Sequence, residues 1–545
     1  MKCRRAGAGH VDTYDHIIIG AGSAGCALAG RLAEAGRRIL VLEAGPMDRS
    51  PWIHLPIGYG KSFYNPNVNW MNRTEPVPAL NNRSIYQPRG KVVGGSSSIN
   101  AMVYVRGQPE DFDGWAALGN PGWSWADVLP VYRRMEDHAL GASAWHGAGG
   151  PTHISDISAH AHPLAHAFVK AGCEIGLPFN ADLNGETSEG VGIYQINTRR
   201  GFRDSAARAY LHPAVKRGRV RLETGALATR LLLEGRRVVG VAYVHDGQEM
   251  ACRAGSDVIV STGAFNTPQL LQVSGIGPPA LLVQHGIAVV HASEQVGRNF
   301  QDHLCYDHVY RGLRPSLNDD LLPLSGRIRV GLQYLLQRRG PLALSVNQGG
   351  GFYRSRPGVD RPDMQLYFSP LSYERAVPGV RALMKPDAFS GFSTSISPCR
   401  PSSRGVVTIR SADVRTPPVI SANYMSTDVD QADMLAGAQF LRRLAAAPTF
   451  AALIAQELKP GPDCRTDEDL LADIRARAYS VFHPCGTCRM GPDAHNAVVD
   501  PSLRVFGVDG LRIADASVFP TIPSGNINAP AMMVGEKAAD LILGR

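Results

Sequence analysis

The run Asp15-His16-Ile17-Ile18-Ile19-Gly20-Ala21-Gly22-Ser23-Ala24-Gly25 decides how this chain is read. Its β-branched core, ending at Gly20, has the signature of a buried strand. The following AGSAGCALAGRLAEAG places small and apolar residues at helical spacing and stops at Gly36. Arg38-Ile39-Leu40-Val41-Leu42 then forms a second strand that ends in Glu43. Strand, helix and strand make a βαβ unit, the building block of a parallel sheet. Gly20-x-Gly22-x-x-Gly25 permits a tight turn, close pyrophosphate approach and close helix–strand packing. The helix N-terminus offers the backbone of Ser23 and Ala24 to phosphate. Glu43, followed by Ala44, lies 18 residues beyond Gly25 and can accept hydrogen bonds from both ribose hydroxyls, while its charge repels a 2′-phosphate. The unit predicts dinucleotide binding. By itself it serves nicotinamide and flavin dinucleotides alike; its place at the head of the chain points to FAD.

At roughly 150 residues per domain, the 545 residues predict two or three structural units. A chain with 44% hydrophobic and 19% charged residues is globular rather than disordered. The net charge of +8 raises the question of nucleic acid or an anionic membrane. No long Lys/Arg run or aromatic-interleaved basic stripe exists, so no nucleic-acid partner is expected. A solvated basic surface is the first reading, and peripheral attachment to anionic lipid of the inner membrane the second. Nine widely spaced cysteines imply no disulfide framework. Met1-Lys2-Cys3-Arg4-Arg5 opens like a signal peptide, but the AGAGHVDTYD that follows lacks the apolar run a signal needs. No stretch is long enough to span a bilayer, so a cytoplasmic monomer or homodimer is expected.

Beyond the first unit, residues 46–89 are loop-rich, with a length that suggests a lid over a ligand. Strand-like pieces at 220–224, 230–233 and 238–244 suggest a small β-layer, and 257–261 another buried strand. Helical periodicity is clearest over 430–456 and 530–543.

Three further motifs carry chemistry. Arg89-Gly90-Lys91-Val92-Val93-Gly94-Gly95-Ser96-Ser97-Ser98-Ile99-Asn100-Ala101-Met102 is amide-rich with little side-chain bulk, as suits a loop lying against a flat cofactor and its phosphates. Gly263-Ala264-Phe265-Asn266-Thr267-Pro268 reads as a small-residue turn leading into a helix started by Thr267-Pro268. His483-Pro484-Cys485-Gly486-Thr487-Cys488 contains a C-x-x-C, but nothing around it supplies the thioredoxin-like unit of a redox pair or the further ligands of a zinc site, and no metal is expected.

These segments together resemble the glucose–methanol–choline (GMC) FAD-dependent oxidoreductases from about residue 13 to 543, and within them the bacterial membrane-associated alcohol and choline dehydrogenases. RGKVVGGSSSIN is similar to the family's first signature, GAFNTPQLLQVSGIG to its second, and HPCGTCRMG with LRIADASVFPTIPSGNINAPAMMVGEKAADLI to its C-terminal catalytic region. The resemblance implies an α/β fold: a Rossmann-like FAD-binding domain with a parallel sheet, and a substrate-binding domain on an antiparallel sheet flanked by helices. It implies FAD-binding segments at 13–153, 217–305 and 480–545, and substrate-binding segments at 154–216 and 306–479.

In that family a flavin nitrogen accepts hydride from an alcohol carbon while a histidine takes the hydroxyl proton. By position His483 is that base and Asn526 fills the second catalytic place, with Asn528 at the flavin edge. An imidazole titrates near working pH, and an amide can donate a hydrogen bond to a developing alkoxide. The resemblance further assigns Arg89, Val93, Gly95, Asn100, Ala101, Met102 and Val103 to the flavin, Ala228 to adenine, and Gly263, Asp515 and Ala516 to the pyrophosphate or ribityl chain. Pro530 is expected to begin the last helix, whose positive end faces the flavin. Ile99 stands where some members carry a flavin-linking histidine, so FAD is expected to be non-covalent.

The expected activity is FAD-dependent oxidation of a primary alcohol to the aldehyde, with electrons passed to a quinone or another non-oxygen acceptor. An oxygen-reducing alcohol oxidase, a choline dehydrogenase and a flavin-containing lyase are the alternatives, and a nicotinamide-linked dehydrogenase a further one. Gln348, in the loop leading to Phe352, stands where relatives often carry an acid, which favours an uncharged alcohol over choline; Phe482 is expected to wall the pocket beside the base.

Overall fold

The computed structural model describes residues 13–374 and 385–545; Cys3 and the Met1–Arg5 stretch lie outside them. The opening unit is β1 (His16–Ile19), α1 (Ser23–Glu34) and β2 (Ile39–Glu43). Ile17, Ile18, Leu40 and Val41 have no exposed surface, which is why these strands read as unbroken apolar runs rather than alternating ones. Then come β3 (Val220–Thr224), the antiparallel meander β4 (Ala226–Glu234), β5 (Arg237–His245) and β6 (Gln248–Ala254), and the strand–helix pair β7 (Val258–Val260) and α2 (Gly263–Val273).

The second part of the chain supplies β8 (Leu304–Gly312), α3 (Leu324–Gln337), β9 (Gly349–Tyr353), β10 (Met364–Ser369), β11 (Gly391–Pro398), α4 (Asp428–Ala445), β12 (Ile454–Lys459) and β13 (Tyr479–Ser480). The chain closes with β14 (Leu511–Ile513) and α5 (Asn528–Leu543). The fold is α/β. Five parallel strands in the order β3-β2-β1-β7-β14 form one sheet, and six antiparallel strands form another, ordered β9-β10-β11-β8-β12 with β13 also on β8. Helix α4 packs on the antiparallel sheet, and α1 packs on α5. No helix among the described residues is long and apolar enough to cross a membrane.

Four element boundaries depart from the sequence expectation. Strand β3 pairs with β2 in the parallel sheet, Val220 opposite Ile39, rather than joining the meander; the chain turns between the two sheets at Gly225, whose φ of +67° favours glycine. Helix α2 begins at Gly263 instead of Thr267 and runs through Pro268. The carbonyl that Pro268 leaves without an amide partner, that of Ala264, accepts a hydrogen bond from Thr487 Oγ1 at 2.7 Å. The periodic stretch 430–456 divides: α4 ends at Ala445 before Pro448, and 454–456 belongs to β12. Helix α5 starts at Asn528, two residues before Pro530.

Candidate active site

One cavity runs between the two sheets, and the C-terminal end of the β1–α1 turn opens into it. Its wall takes Gly20, Gly22, Ser23 and Ala24 from that turn, and Glu43 and Ala44 from the end of β2. Ala228 comes from β4, Gly263 from the start of α2, and Asp515 and Ala516 from the loop after β14. Arg89, Gly95, Asn100, Ala101, Met102 and Val103 come from the amide-rich loop, and Phe482, His483, Asn526 and Asn528 from the last third of the chain. The segment 46–89 contributes Tyr59, Phe63 and Trp70 as well as Arg89.

Five expected site residues lie off this wall. A Cβ on Gly25 would fall 2.1 Å from Gly20 O, so this glycine permits helix–strand contact behind the turn. Val93 is buried in the core of the parallel-sheet unit, and its carbonyl accepts from Ser98 Oγ at 2.8 Å. Pro530 is buried within α5, while the neighbouring Ala531 reaches the cavity. Gln348 turns to His162, whose backbone amide donates to Gln348 Oε1 at 2.7 Å, leaving Val346 and Asn347 on the wall. Phe352 packs in a buried cluster with Val103, Val105, Tyr194 and Tyr367, close to Gly525. The substitution of an acid by Gln348 therefore says nothing about charge in the cavity.

The phosphate end fits a dinucleotide. Helix α1 has no side-chain cap and no acid in its first turn, so its free amides and positive end face the cavity. A Cβ on Gly22 would meet nothing nearer than Ser261 O at 3.9 Å, and one on Gly263 would meet no atom within 4 Å; both would occupy the space a ligand would take. Glu43 is held by two backbone donors, Ala21 N to Oε2 at 2.9 Å and Gly45 N to Oε1 at 2.8 Å, which leave further lone pairs for hydroxyls. Burial pushes its carboxyl up to about 7, against the pull of those two amides. The two ends of the chain meet here: Ser23 Oγ donates to Asn528 Oδ1 at 2.8 Å.

The end of the cavity that holds His483 and Asn526 is organised by main-chain pairing. Gln301 faces Cys485 in an antiparallel bridge, and Val481 N donates to His303 O at 2.9 Å, so His303 and His483 come side by side. His303 Nε2 donates to Cys399 O at 2.9 Å, which leaves Nδ1 as an acceptor. His483 Nδ1 stands 2.9 Å from it and must therefore be the donor, so the lone pair of His483 lies on Nε2. That nitrogen accepts from Asn526 Nδ2 at 3.2 Å. Gln365 Nε2 donates to Asn526 Oδ1 at 3.0 Å, and Tyr367 OH donates to Gln365 Oε1 at 2.5 Å, so the orientation of each amide is set by its neighbour. Burial, then His303 and Arg89, hold the His483 imidazole well below its usual range, and burial lowers His303 as well. Both rings are neutral, as this proton count requires.

Two residues with strained backbone line the same cavity. Phe482 has φ +70° and Met102 φ +64°, unusual for side chains of this size. Phe482 N donates to Ser480 Oγ at 2.7 Å, its carbonyl accepts from Arg89 Nη2 at 2.6 Å, and its ring meets Phe63 edge-on at 5.6 Å. The next amide, His483 N, donates to Asp302 Oδ1 at 2.7 Å. Burial lowers the Arg89 guanidinium to about 10. His303, Asp302, Gln365 and Tyr367 were not reached by sequence reasoning. For Asp302 and His303 the signal was the mainly polar run Asn299-Phe300-Gln301-Asp302-His303 placed immediately before a buried strand.

A second cluster of histidines and carboxylates lies away from this cavity. His146 donates to Glu136 and Asp182 at 3.1 and 2.7 Å; burial opposes its charge, but the two carboxylates outweigh it and raise the imidazole. The His138 and His146 rings stack with centroids 3.7 Å apart and planes 16° from parallel, so their in-plane lone pairs cannot converge on one ion. Cys485 and Cys488 are buried free thiols, both raised by burial, unlike a reactive pair.

Two family models described as GMC oxidoreductase match residues 14–305 and 401–535. The chain is 41% identical over 535 residues to an alcohol dehydrogenase [acceptor] of Pseudomonas putida, covering 97% of this chain and 96% of that protein. It is 44% identical over 535 residues to an oxygen-dependent choline dehydrogenase of Sinorhizobium medicae, with the same coverage. A formate oxidase of Aspergillus oryzae RIB40, solved in connection with modification of its FAD, superimposes with a TM-score of 0.90 at 28% identity over 98% of this chain and 99% of that one. With both family regions contributing to the wall of a cavity suited to a dinucleotide, the chain belongs to the GMC oxidoreductase family and is an FAD-dependent oxidoreductase.

Proposed function

We propose that this enzyme oxidises an uncharged primary alcohol to the aldehyde and passes the electrons to a quinone or another non-oxygen acceptor. The observation that carries the reading is the lone pair of His483 Nε2, held on the cavity wall 3.2 Å from Asn526 Nδ2. When bound, FAD supplies a two-electron hydride acceptor. His483 takes the hydroxyl proton at Nε2, and its Nδ1–H, bonded to His303, keeps the ring in the tautomer this needs. The second amide hydrogen of Asn526 is available to the developing alkoxide, with the amide oxygen tied back to Gln365. The same reading assigns 13–153, 217–305 and 480–545 to FAD binding and 154–216 and 306–479 to the substrate side. Ile99, an aliphatic side chain, offers no bond to the flavin, so FAD is non-covalent and acid denaturation should release all yellow colour from the polypeptide.

Charge supports a neutral substrate. On the cavity that Tyr59, Phe63 and Phe482 also line, the carboxylate Asp307 is paired with Arg477 at 3.1 Å, and Asp515 is occupied by Gly263 N and Thr267 Oγ1 at 2.8 and 2.6 Å. A second reading, choline, draws on those same aromatic faces, which attract a quaternary ammonium, and on the choline dehydrogenases among the relatives. The test is anaerobic stopped-flow bleaching of the bound flavin by a panel of aliphatic alcohols, aromatic alcohols and choline, followed by reoxidation with oxygen or a quinone. Fast bleaching by neutral alcohols and fast reoxidation by quinone alone supports the proposal. Bleaching by choline alone replaces the substrate, rapid oxygen consumption replaces the acceptor, and no bleaching by any alcohol favours a lyase.

A further inference from the structure

Helix α3 (Leu324–Gln337) carries two apolar faces on opposite sides. One is buried: Gly326, Val330 and Tyr334 face the protein, a Cβ on Gly326 would lie 2.4 Å from Asp320 O, and Tyr334 OH donates to Gly201 O at 3.0 Å. The other faces solvent. Leu324, Ile328, Leu332, Leu335 and Leu336 are 67, 54, 52, 64 and 81% exposed, at the i, i+4, i+8, i+11 and i+12 spacing of a single stripe. At 1.5 Å per residue, the helix presents this stripe over about 21 Å. Soluble surfaces tolerate scattered leucines, but an aligned row of them marks an interaction site.

We propose that this face of α3 lies in the headgroup region of a membrane containing anionic lipid and anchors the enzyme there. Charge selects the occupant. By helical position Arg327 and Arg329 border the stripe on either side, Arg338 and Arg339 follow it, the helix contains no acidic residue, and the whole chain carries +8. Arg329 also pairs with Asp320, and Arg338 lies over the rings of Phe202 and Tyr334, so Arg327 and Arg339 are the cations most available to phosphate. The stripe is purely aliphatic, whereas protein–protein anchors are rich in Trp, Tyr and Arg and poor in Leu. An apolar stripe bordered by arginines is the pattern of an interfacial helix. The turn at Pro341–Ala343 that follows α3 packs against Pro56–Gly58, next to the cavity residue Tyr59. The attachment therefore sits close to the outer wall of the active site.

The test is co-sedimentation of the flavin-loaded protein with vesicles of phosphatidylcholine alone or mixed with phosphatidylglycerol, read by flavin absorbance in the pellet. Wild type should pellet with the anionic vesicles, less so as salt rises. Ile328→Asp with Leu335→Asp should lower the partition at least about tenfold, with flavin content and circular dichroism unchanged. Arg327→Gln and Arg339→Gln should each weaken it by about fivefold. Wild type remaining in the supernatant with anionic vesicles overturns the proposal. So does a wild-type dimer, seen by light scattering, that the double aspartate variant dissociates while neither form binds vesicles. Equal, salt-insensitive binding to phosphatidylcholine alone overturns the anionic requirement.

Discussion

His303 Nδ1 and His483 Nδ1 face each other at 2.9 Å, and because His303 spends its only proton on Cys399 O, His483 must donate. One backbone carbonyl thus sets the tautomer of the proposed base two residues away in space. His303→Ala should slow flavin reduction by about tenfold to a hundredfold, while His303→Gln, whose amide oxygen can still accept from Nδ1–H, should recover part of that loss. Removing His303 also removes one of the influences holding His483 low, so the acid limb of kcat/KM should move to higher pH in the Ala variant. An unchanged limb with a lowered rate would reduce His303 to packing. Stopped-flow reduction across pH measures both.

His483→Ala should lower flavin reduction by about a hundredfold or more and keep its FAD. In wild type the reactive form is the neutral ring, and burial holds its proton affinity below that of a free histidine. Activity should therefore persist as pH falls through about 6.5, the ordinary value, and decline only below it. A kcat/KM profile that falls already above that value would contradict the assignment.

Gly22→Val should leave the fold intact and strip the cofactor. The backbone at Gly22 is extended, with φ −80° and ψ −166°, a conformation valine adopts readily, and a Cβ there meets no protein atom nearer than Ser261 O at 3.9 Å. They would instead stand before the amides of α1. The expected result is normal circular dichroism with a large loss of bound flavin, read from the flavin absorbance per protein.

Glu536→Gln should destabilise the protein by about 1–2 kcal/mol. Glu536, almost wholly buried on α5, receives Arg31 from α1 and Arg134 Nη2 at 3.0 Å, and both arginines also reach Asp540, at 3.0 and 2.7 Å. Neutralising it leaves the part-buried Arg31 and the half-exposed Arg134 with Asp540 as their shared carboxylate. Urea unfolding followed by tryptophan fluorescence measures the loss.

Acid stability should depend on His308. Burial, with Arg477 and Arg442 adding to it, pushes this imidazole down to about 3. The unfolded chain binds a proton near pH 6.5 and the folded chain does not until about pH 3, so stability falls as pH drops through that window, by up to about 1.4 kcal/mol per pH unit. Above the window the two states hold equal protons and this group contributes no slope. His308→Gln should flatten the decline in Tm between pH 6 and 4, roughly the middle of that window; an unaltered slope would assign it to other groups.

The βαβ unit was legible because its information is local. Three β-branched residues, three glycines at fixed offsets and a terminal Glu43 are each interpretable within a few residues of chain, and β1, α1 and β2 fall where those residues place them. Boundaries that depend on distant partners were not legible. Pro268 looks like a helix start until Thr487, over two hundred positions later, is found capping the Ala264 carbonyl. The stretch 454–456 continues a helical pattern but pairs with β8 instead.

What the sequence by itself determined is the chemistry available: a phosphate-binding turn, an amide-rich loop and an imidazole next to a cavity-lining phenylalanine, each a property of residue type and short spacing. Only the tertiary structure decided which of those groups face one another. Gln348 and Phe352 belong to the loop expected to line the pocket yet turn away from the cavity, because one hydrogen-bonds His162 and the other fills the space left by Gly525. His303 reaches His483 only through strand pairing between segments 180 residues apart. Proton placement depends on that contact, since a histidine's tautomer is chosen by the partner of its other nitrogen, and partners across such a distance are set by packing rather than by neighbours along the chain.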